Sequence, residues 1–190
     1  MSTRRRRPTA CFELLDVPRA AFATLILQIL AMLLQLAAYF VLESRAYFLV
    51  PATFRMVIIP VATIYIGGAI VATFGVLTRR RLLVTIHSTI TIALMVLTDI
   101  LAVSIILLMA IGKRNAYLHQ LPHNFINEKK FYDALGPFWM YLGAISLHIT
   151  VAMNMAFLQP LNEFAEFVQS ESQVAKSALA STYTTADKLH

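Results

Sequence analysis

Asp99 and His148 stand out because each lies inside a long apolar run, at about residues 83–111 and 137–158. A carboxylate at bilayer depth costs about 2.5 kcal/mol or more. We therefore expect Asp99 to face other helices or a water-filled cavity, and not lipid. His148 is its expected partner, because both residues lie near the centres of their runs and adjacent antiparallel helices can bring them together.

Three kinds of chemistry are open to this intramembrane polar pair. As a structural pair, Asp99 and His148 form a charge-assisted hydrogen bond that fixes the register of two helices. As a proton relay, burial and mutual interaction set their protonation. As a ligand site, they bind a small polar or cationic molecule within the bundle. We favour the structural pair, because the spans contain no second charged pair, and we leave the other two open.

The sequence offers no set of residues for catalysis or for a cofactor. It lacks a phosphate-binding glycine loop, a nucleophile with an evident base and paired carboxylates. The single cysteine, Cys11, excludes an internal disulfide and a four-cysteine zinc site. A haem between His87 and His148 is excluded because their depths differ by roughly 15 Å at helical rise. We predict no enzyme activity and no cofactor.

A metal site is the remaining possibility that spacing suggests. His119 and His123 lie four residues apart, which is a helical metal-ligand spacing. Pro122 lies between them, and no nearby cysteine or carboxylate pair completes a site. We therefore predict no metal binding.

The composition indicates the membrane class. The 190 residues are 58% hydrophobic and only 14% charged, whereas soluble domains carry roughly 25% charged residues. The apolar runs predict an all-α integral membrane four-helix bundle, residues 20–159, between a basic cytoplasmic head, 1–19, and a cytoplasmic tail, 160–190. The expected spans are about 20–42, 52–77, 83–111 and 137–158.

Basic residues predict the orientation. The net charge of +6 gathers beside apolar runs, so membrane topology and lipid headgroups explain it better than nucleic acid does. The two largest clusters fall on one side of the membrane, which places both termini in the cytoplasm. These clusters are Arg4, Arg5, Arg6, Arg7, and Arg79, Arg80, Arg81.

Other polar and small residues predict helix packing. Gly68, Ala72 and Gly75 share one face of the second span and form a groove that another helix can approach closely. Gln28 and Gln35 also share a face, and we expect them to form interhelical hydrogen bonds; substrate binding is the alternative. Tyr65 lies inside a span and needs a partner for its hydroxyl group. Asn154 adds a further interhelical donor. The other polar residues of the third span near its beginning are His87, Ser88, Thr89 and Thr91.

The tail begins with a short apolar pattern. Leu161, Phe164, Ala165 and Val168 predict an amphipathic helix that lies along the membrane surface. The end of the tail is small and polar, and we expect it to be disordered.

Part of the chain resembles a known family. An apolar span with Asp99, a loop containing Tyr117-Leu118-x-Gln120-Leu121-Pro122 and a last apolar span resemble the lysosome-associated four-span transmembrane proteins, over roughly residues 90–160. The four-span architecture is also similar to that of MARVEL-type vesicle proteins. The resemblance implies an endosomal or lysosomal protein that sorts or regulates other membrane proteins. The chain departs from the lysosomal family in its shorter first outer loop and in lacking the proline-tyrosine motifs that recruit ubiquitin ligases.

Our leading hypothesis is a non-enzymatic scaffold, accessory subunit or trafficking factor for other membrane proteins. The alternative is a small-solute or proton-coupled transporter that uses Asp99 and His148. The expected partners are membrane lipids and other membrane proteins or further copies of the chain, and not nucleic acid. The expected location is an endosomal, lysosomal or plasma membrane.

Overall fold

The structure is a computed structural model that describes residues 9–10, 15–112 and 124–187. It contains the helices α1 (Val17–Ser44), α2 (Pro51–Leu77), α3 (Arg81–Gly112), α4 (Glu128–Leu135) and α5 (Trp139–Asp187). A 3-10 turn, Gly136–Phe138, joins α4 to α5, and two short strands, Thr9–Ala10 and Leu15–Asp16, pair before α1. Within the described residues, four helical segments are long and apolar enough to cross a membrane. The predicted all-α membrane bundle is confirmed.

Local sequence explains where the helices begin and turn. Pro18 and Pro51 lie in the first turns of α1 and α2, where a missing backbone N–H does no harm. The turn after α1 contains Ala46 and the turn after α2 contains Arg79, both with positive φ. These short turns make successive helices antiparallel. The first three helices therefore match the predicted spans to within a few residues.

The long helices form a ring in the order α1, α2, α3, α5, each packed against the next. We call the end with Arg79, Arg80 and Arg81 the basic-turn end, and the end with residues 45–50 and 124–138 the loop end. The main hydrophobic core lies at the basic-turn end. Its buried members are Val17, Ala20, Ala21, Leu25, Ala69, Ala72, Val76, Val84, Leu161 and Phe164.

The predicted groove of small residues is filled by the chain itself. A Cβ atom on Gly68 would lie 2.9 Å from Nδ1 of His87, and one on Gly75 would lie 2.8 Å from Cβ of Leu83. Ala72 is fully buried between them. The groove therefore holds α3 of the same chain and is not open to another protein.

The tail differs from the prediction. α5 continues through Pro160 to Asp187, so residues 161–168 do not form a separate helix on the membrane surface and the end of the tail is not disordered up to Asp187. Leu161 and Phe164 are fully buried in the core. Their packing with buried side chains of α1, α2 and α3 favours continuing the helix despite the proline.

Two contacts with the basic turn hold the extension of α5 in place. Arg79 Nη1 lies 3.1 Å from Oε2 of Glu171. Arg81 Nη1 donates a hydrogen bond of 2.6 Å to Oε1 of Gln169. Two arginines expected to contact lipid headgroups therefore also bind the chain's own helix.

The close approach at Gly75 predicts that Gly75→Ala lowers stability by about 1–3 kcal/mol, because the added methyl group overlaps Leu83 and backbone at the turn. Thermal unfolding in mild detergent measures the effect. The matched control is Gly67→Ala, where a Cβ meets no atom within 4 Å and a better helix former replaces glycine. Equal melting temperatures for the two variants would contradict the packing described here.

The buried position of Phe164 predicts that Phe164→Ala costs about 3–5 kcal/mol of unfolding free energy. Val174→Ala, on the exposed part of the same helix, is the control and should change little. A surface-lying tail helix would instead leave the bundle's stability unchanged by either substitution.

Candidate functional site

The centre of the bundle contains a polar core of Gln28, Tyr65, His87 and Asn154, one residue from each long helix. Nε2 of His87 lies 3.0 Å from Oε1 of Gln28, and the Tyr65 hydroxyl donates a 2.6 Å hydrogen bond to Oδ1 of Asn154. Each bond joins helices that are diagonally opposite in the ring, so the two cross the centre of the bundle. The rings of Tyr65 and His87 meet edge to face at a centroid distance of 5.5 Å, which links the two bonds.

The electrostatics of the polar core follow from its hydrogen bonds. The amide oxygen of Gln28 only accepts, so Nε2 of His87 carries the proton in this arrangement. Gln28 and His87 are fully buried. In the described part of the chain, four buried polar atoms here have no hydrogen-bond partner: Gln28 Nε2, His87 Nδ1, Ser88 Oγ and Thr91 Oγ1. A cavity of about 10 Å³ adjoins Gln28, Tyr65 and Asn154, which is the size of about one water molecule.

Several predictions about polar residues are matched here. Gln28 makes an interhelical contact, and Gln35 Nε2 donates a longer 3.5 Å bond to Oγ1 of Thr150 at the bundle surface. Tyr65 finds its hydroxyl partner in Asn154. Asn154 was predicted to be an interhelical donor, but it accepts this bond and donates within its own helix, to Thr150 O. The sequence analysis did not predict that His87 belongs to this network. The sequence feature that could have indicated its position is the small residue Gly68, which leaves room for the imidazole on the facing helix.

Asp99 and His148 meet, but on the outside of the bundle. His148 Nδ1 lies 3.7 Å from Oδ1 of Asp99, and the two side chains are 47% and 56% exposed. The expectation that Asp99 faces other helices or a cavity is therefore wrong for the single chain. Ala102 and Ala144 are buried at this level of α3 and α5, and the longer polar side chains lie outside the helix contact.

This outer pair, Asp99 and His148, lies well inside the apolar segments of α3 and α5. At helical rise, Asp99 is roughly 27 Å along α3 from Arg81, and His148 is roughly 14 Å along α5 from Trp139. Trp139 stacks on Phe131 at 5.2 Å in an aromatic cluster at the loop end, which is the composition expected of a membrane–water interface. The pair is therefore nearer the loop end, whereas His87 is roughly 9 Å from Arg81.

Exposed apolar side chains surround the outer pair. They lie one or two helical turns from Asp99 or His148 and so share its side of the bundle. We call this surface the α3–α5 face, and its apolar members are Ile92, Val96, Val103, Ile106, Tyr141, Ile145 and Met155.

The loop end is closed by polar and backbone contacts. Arg55 and Glu43 form a two-pronged ion pair, with 3.0 Å between Nε and Oε2. Leu49 N donates to Phe125 O at 2.9 Å, and Asn127 N donates to Tyr47 O at 2.8 Å. These bonds fix the loop after α1 against the segment before α4.

Some predicted sites lie outside the described residues, namely Arg4, Arg5, Arg6, Arg7, Cys11, His119 and His123. Among the residues that the structure does describe, no group of three or more His, Cys, Asp or Glu side chains is placed to hold a metal ion.

Comparison with known proteins gives no relative. No protein-family model matches the chain, and neither the characterised proteins nor the solved structures gave a match. The site must therefore be interpreted from its own chemistry.

The crossed hydrogen bonds predict energetic coupling within the polar core. In a double-mutant cycle, Tyr65→Phe and Asn154→Ala should couple by about 0.6–1.7 kcal/mol, which is between the average and the maximum for interhelical hydrogen bonds in membranes. The control cycle uses Gln35→Ala and Thr150→Ala, whose longer and exposed contact should couple by less. Unfolding in detergent measures both, and a larger coupling in the control cycle would contradict the central role of the polar core.

Proposed function

We propose that this protein is a non-enzymatic membrane protein that binds laterally to other membrane-embedded chains, as a scaffold, accessory subunit or sorting factor. The observation that supports the proposal is the outer pair, an acid and a base exposed on the lipid-facing side of the bundle. An Asp side chain in contact with hydrocarbon costs about 2.5 kcal/mol or more. A protein surface that covers Asp99 and His148 removes that cost.

Several other polar side chains of the spans form hydrogen bonds within the chain. Thr98 and Ser104 on α3 donate hydrogen bonds to backbone carbonyls one turn earlier. The polar core points inwards, and its residues contact one another. Only His87, Asp99 and His148 are acidic or basic residues within residues 20–42, 56–77, 82–112 and 139–158, and His87 is buried. Asp99 and His148 are therefore the acid and the base on the outside of the spans that a neighbouring chain can contact.

The orientation and location belong to the same proposal. The basic clusters at residues 4–7 and 79–81 support a bundle with both termini in the cytoplasm. The resemblance around Asp99 and the following loop supports an endosomal or lysosomal membrane, with the plasma membrane as the alternative, and a role in sorting other membrane proteins.

A proton-coupled or small-solute transporter is the second candidate, favoured by the acid and base lying 3.7 Å apart. Transport needs access to both groups from water on each side. The cavities at the loop end and beside the polar core are lined by other residues and by neither Asp99 nor His148. The geometry therefore supports lateral association better.

Lateral association predicts that the protein, purified from native membranes in mild detergent, carries a stoichiometric membrane-protein partner or a further copy of itself. Asp99→Leu or His148→Leu should reduce this association at least tenfold, because the polar contact is lost. Ser104→Leu is the matched control, since Ser104 is exposed on α3 but bonds its own helix.

A lone monomeric protein would contradict the proposal. Uptake into liposomes would then test the transporter, using Asp99→Asn, which keeps the shape of the side chain and removes its charge.

A further inference from the structure

We propose that the α3–α5 face binds a second copy of this chain, with Asp99 of each copy in contact with His148 of the other. The inference rests on the proposed lateral association and names its partner. It would make the protein a two-fold symmetric dimer whose central contact consists of two acids and two bases.

The depth of the two residues makes the face self-complementary. Asp99 on α3 and His148 on α5 lie side by side, and therefore at the same level in the membrane. A two-fold axis along the membrane normal preserves depth, so a group of one copy meets groups at the same level in the other. If α3 of one copy packs beside α5 of the other, each carboxylate lies beside an imidazole. A second copy therefore supplies the charge complementarity without any foreign residue.

The contact within one chain leaves hydrogen-bonding capacity for the second copy. At 3.7 Å the Asp99–His148 distance is longer than a charge-assisted hydrogen bond, which is about 2.7–2.9 Å. His148 turns Nδ1 toward Asp99, so Nε2 is available to a carboxylate of the second copy. Each carboxylate has a second oxygen for the same purpose. The dimer would thus bind both groups more fully than the single chain does.

The apolar surroundings suit a helix-on-helix contact. From Ile92 to Ile106 the face extends roughly 21 Å along α3, which is most of the hydrocarbon thickness. Ala152, one turn from His148, is small and exposed and permits close approach of the facing helix. The ion pair would be enclosed by packed side chains on both sides, away from lipid.

Exchange of the two residues tests the geometry. Asp99→His gives a copy with two bases, and His148→Asp gives a copy with two acids. Each variant alone loses the same contact twice, because the dimer is symmetric. Each loss should lower the dimer affinity about threefold, so the total loss should be about tenfold or more. Mixed together with different tags, the two variants should form a heterodimer, because acid again faces base. The double exchange, Asp99→His with His148→Asp, should dimerise with itself.

Recovery in the mixture also shows that the single variants are folded. Dimerisation of either single variant at the wild-type level, or failure of the mixture to associate, would overturn the inference.

Cross-linking in native membranes provides a second measurement. With Cys11→Ser as background, a copy with Val103→Cys and a differently tagged copy with Ile145→Cys should form a disulfide, because both positions lie on the α3–α5 face near the outer pair. Leu34→Cys is the control, because the Leu34 side chain is exposed on α1 and is not part of the α3–α5 face. This variant should cross-link only at a background level. Cross-linking through α1 alone would overturn the inference.

The outcomes separate this inference from the proposed function. A foreign membrane protein that binds the α3–α5 face and depends on Asp99 would support lateral association and overturn the dimer. A monomer without any partner would contradict both. A dimer that is lost in each single variant and recovered in their mixture would support both.

Discussion

The requirement that polar side chains avoid hydrocarbon governs this structure. In a membrane, helices gain no hydrophobic energy from packing against one another, so close contact and polar bonds decide which faces meet. Gln28, His87, Tyr65 and Asn154 satisfy the requirement at the centre of the bundle. Since the two bonds cross both diagonals of the ring, each helix is tied to the one that it does not pack against. The polar core thereby fixes the order and the register of the helices together.

The polar core depends on small residues next to it. His87 fits between α2 and α3 only because Gly68 has no Cβ atom at that position. Ala69 and Ala72 continue the same narrow face toward the basic turn, where Leu161 and Phe164 complete the core. The small-residue face, the buried imidazole and the α5 extension are thus parts of one packed unit at one end of the bundle.

The sequence predicted the elements better than their faces. Long apolar runs determine where a chain spans a membrane, so four helices and their approximate limits could be derived from composition. The sequence could not show which side of α3 faces the interior of the bundle, because apolar residues lie on all sides of this helix. Asp99 was expected to face the interior and His87 was assigned no face, yet His87 is buried and Asp99 is half exposed. The difference comes from packing partners on other helices, Gly68 on α2 for His87 and Ala144 on α5 near Asp99, which spacing within α3 does not reveal. The separate surface helix expected at residues 161–168 is likewise absent, because α5 continues through Pro160 and buries Phe164 in the core.

The two polar sites lie in different halves of the bundle. They lie roughly 18 Å apart along α3, with the polar core inside the tightly packed half and the outer pair on the half where buried apolar residues are sparse. The main hydrophobic core and the polar core both lie apart from the outer pair, so the packing of the basic-turn half does not include Asp99 or His148. Association through the outer pair would add packing where the single chain has least of it. In the proposed association, the exposed acid and base are half of an interface that is completed when another chain lies against α3 and α5.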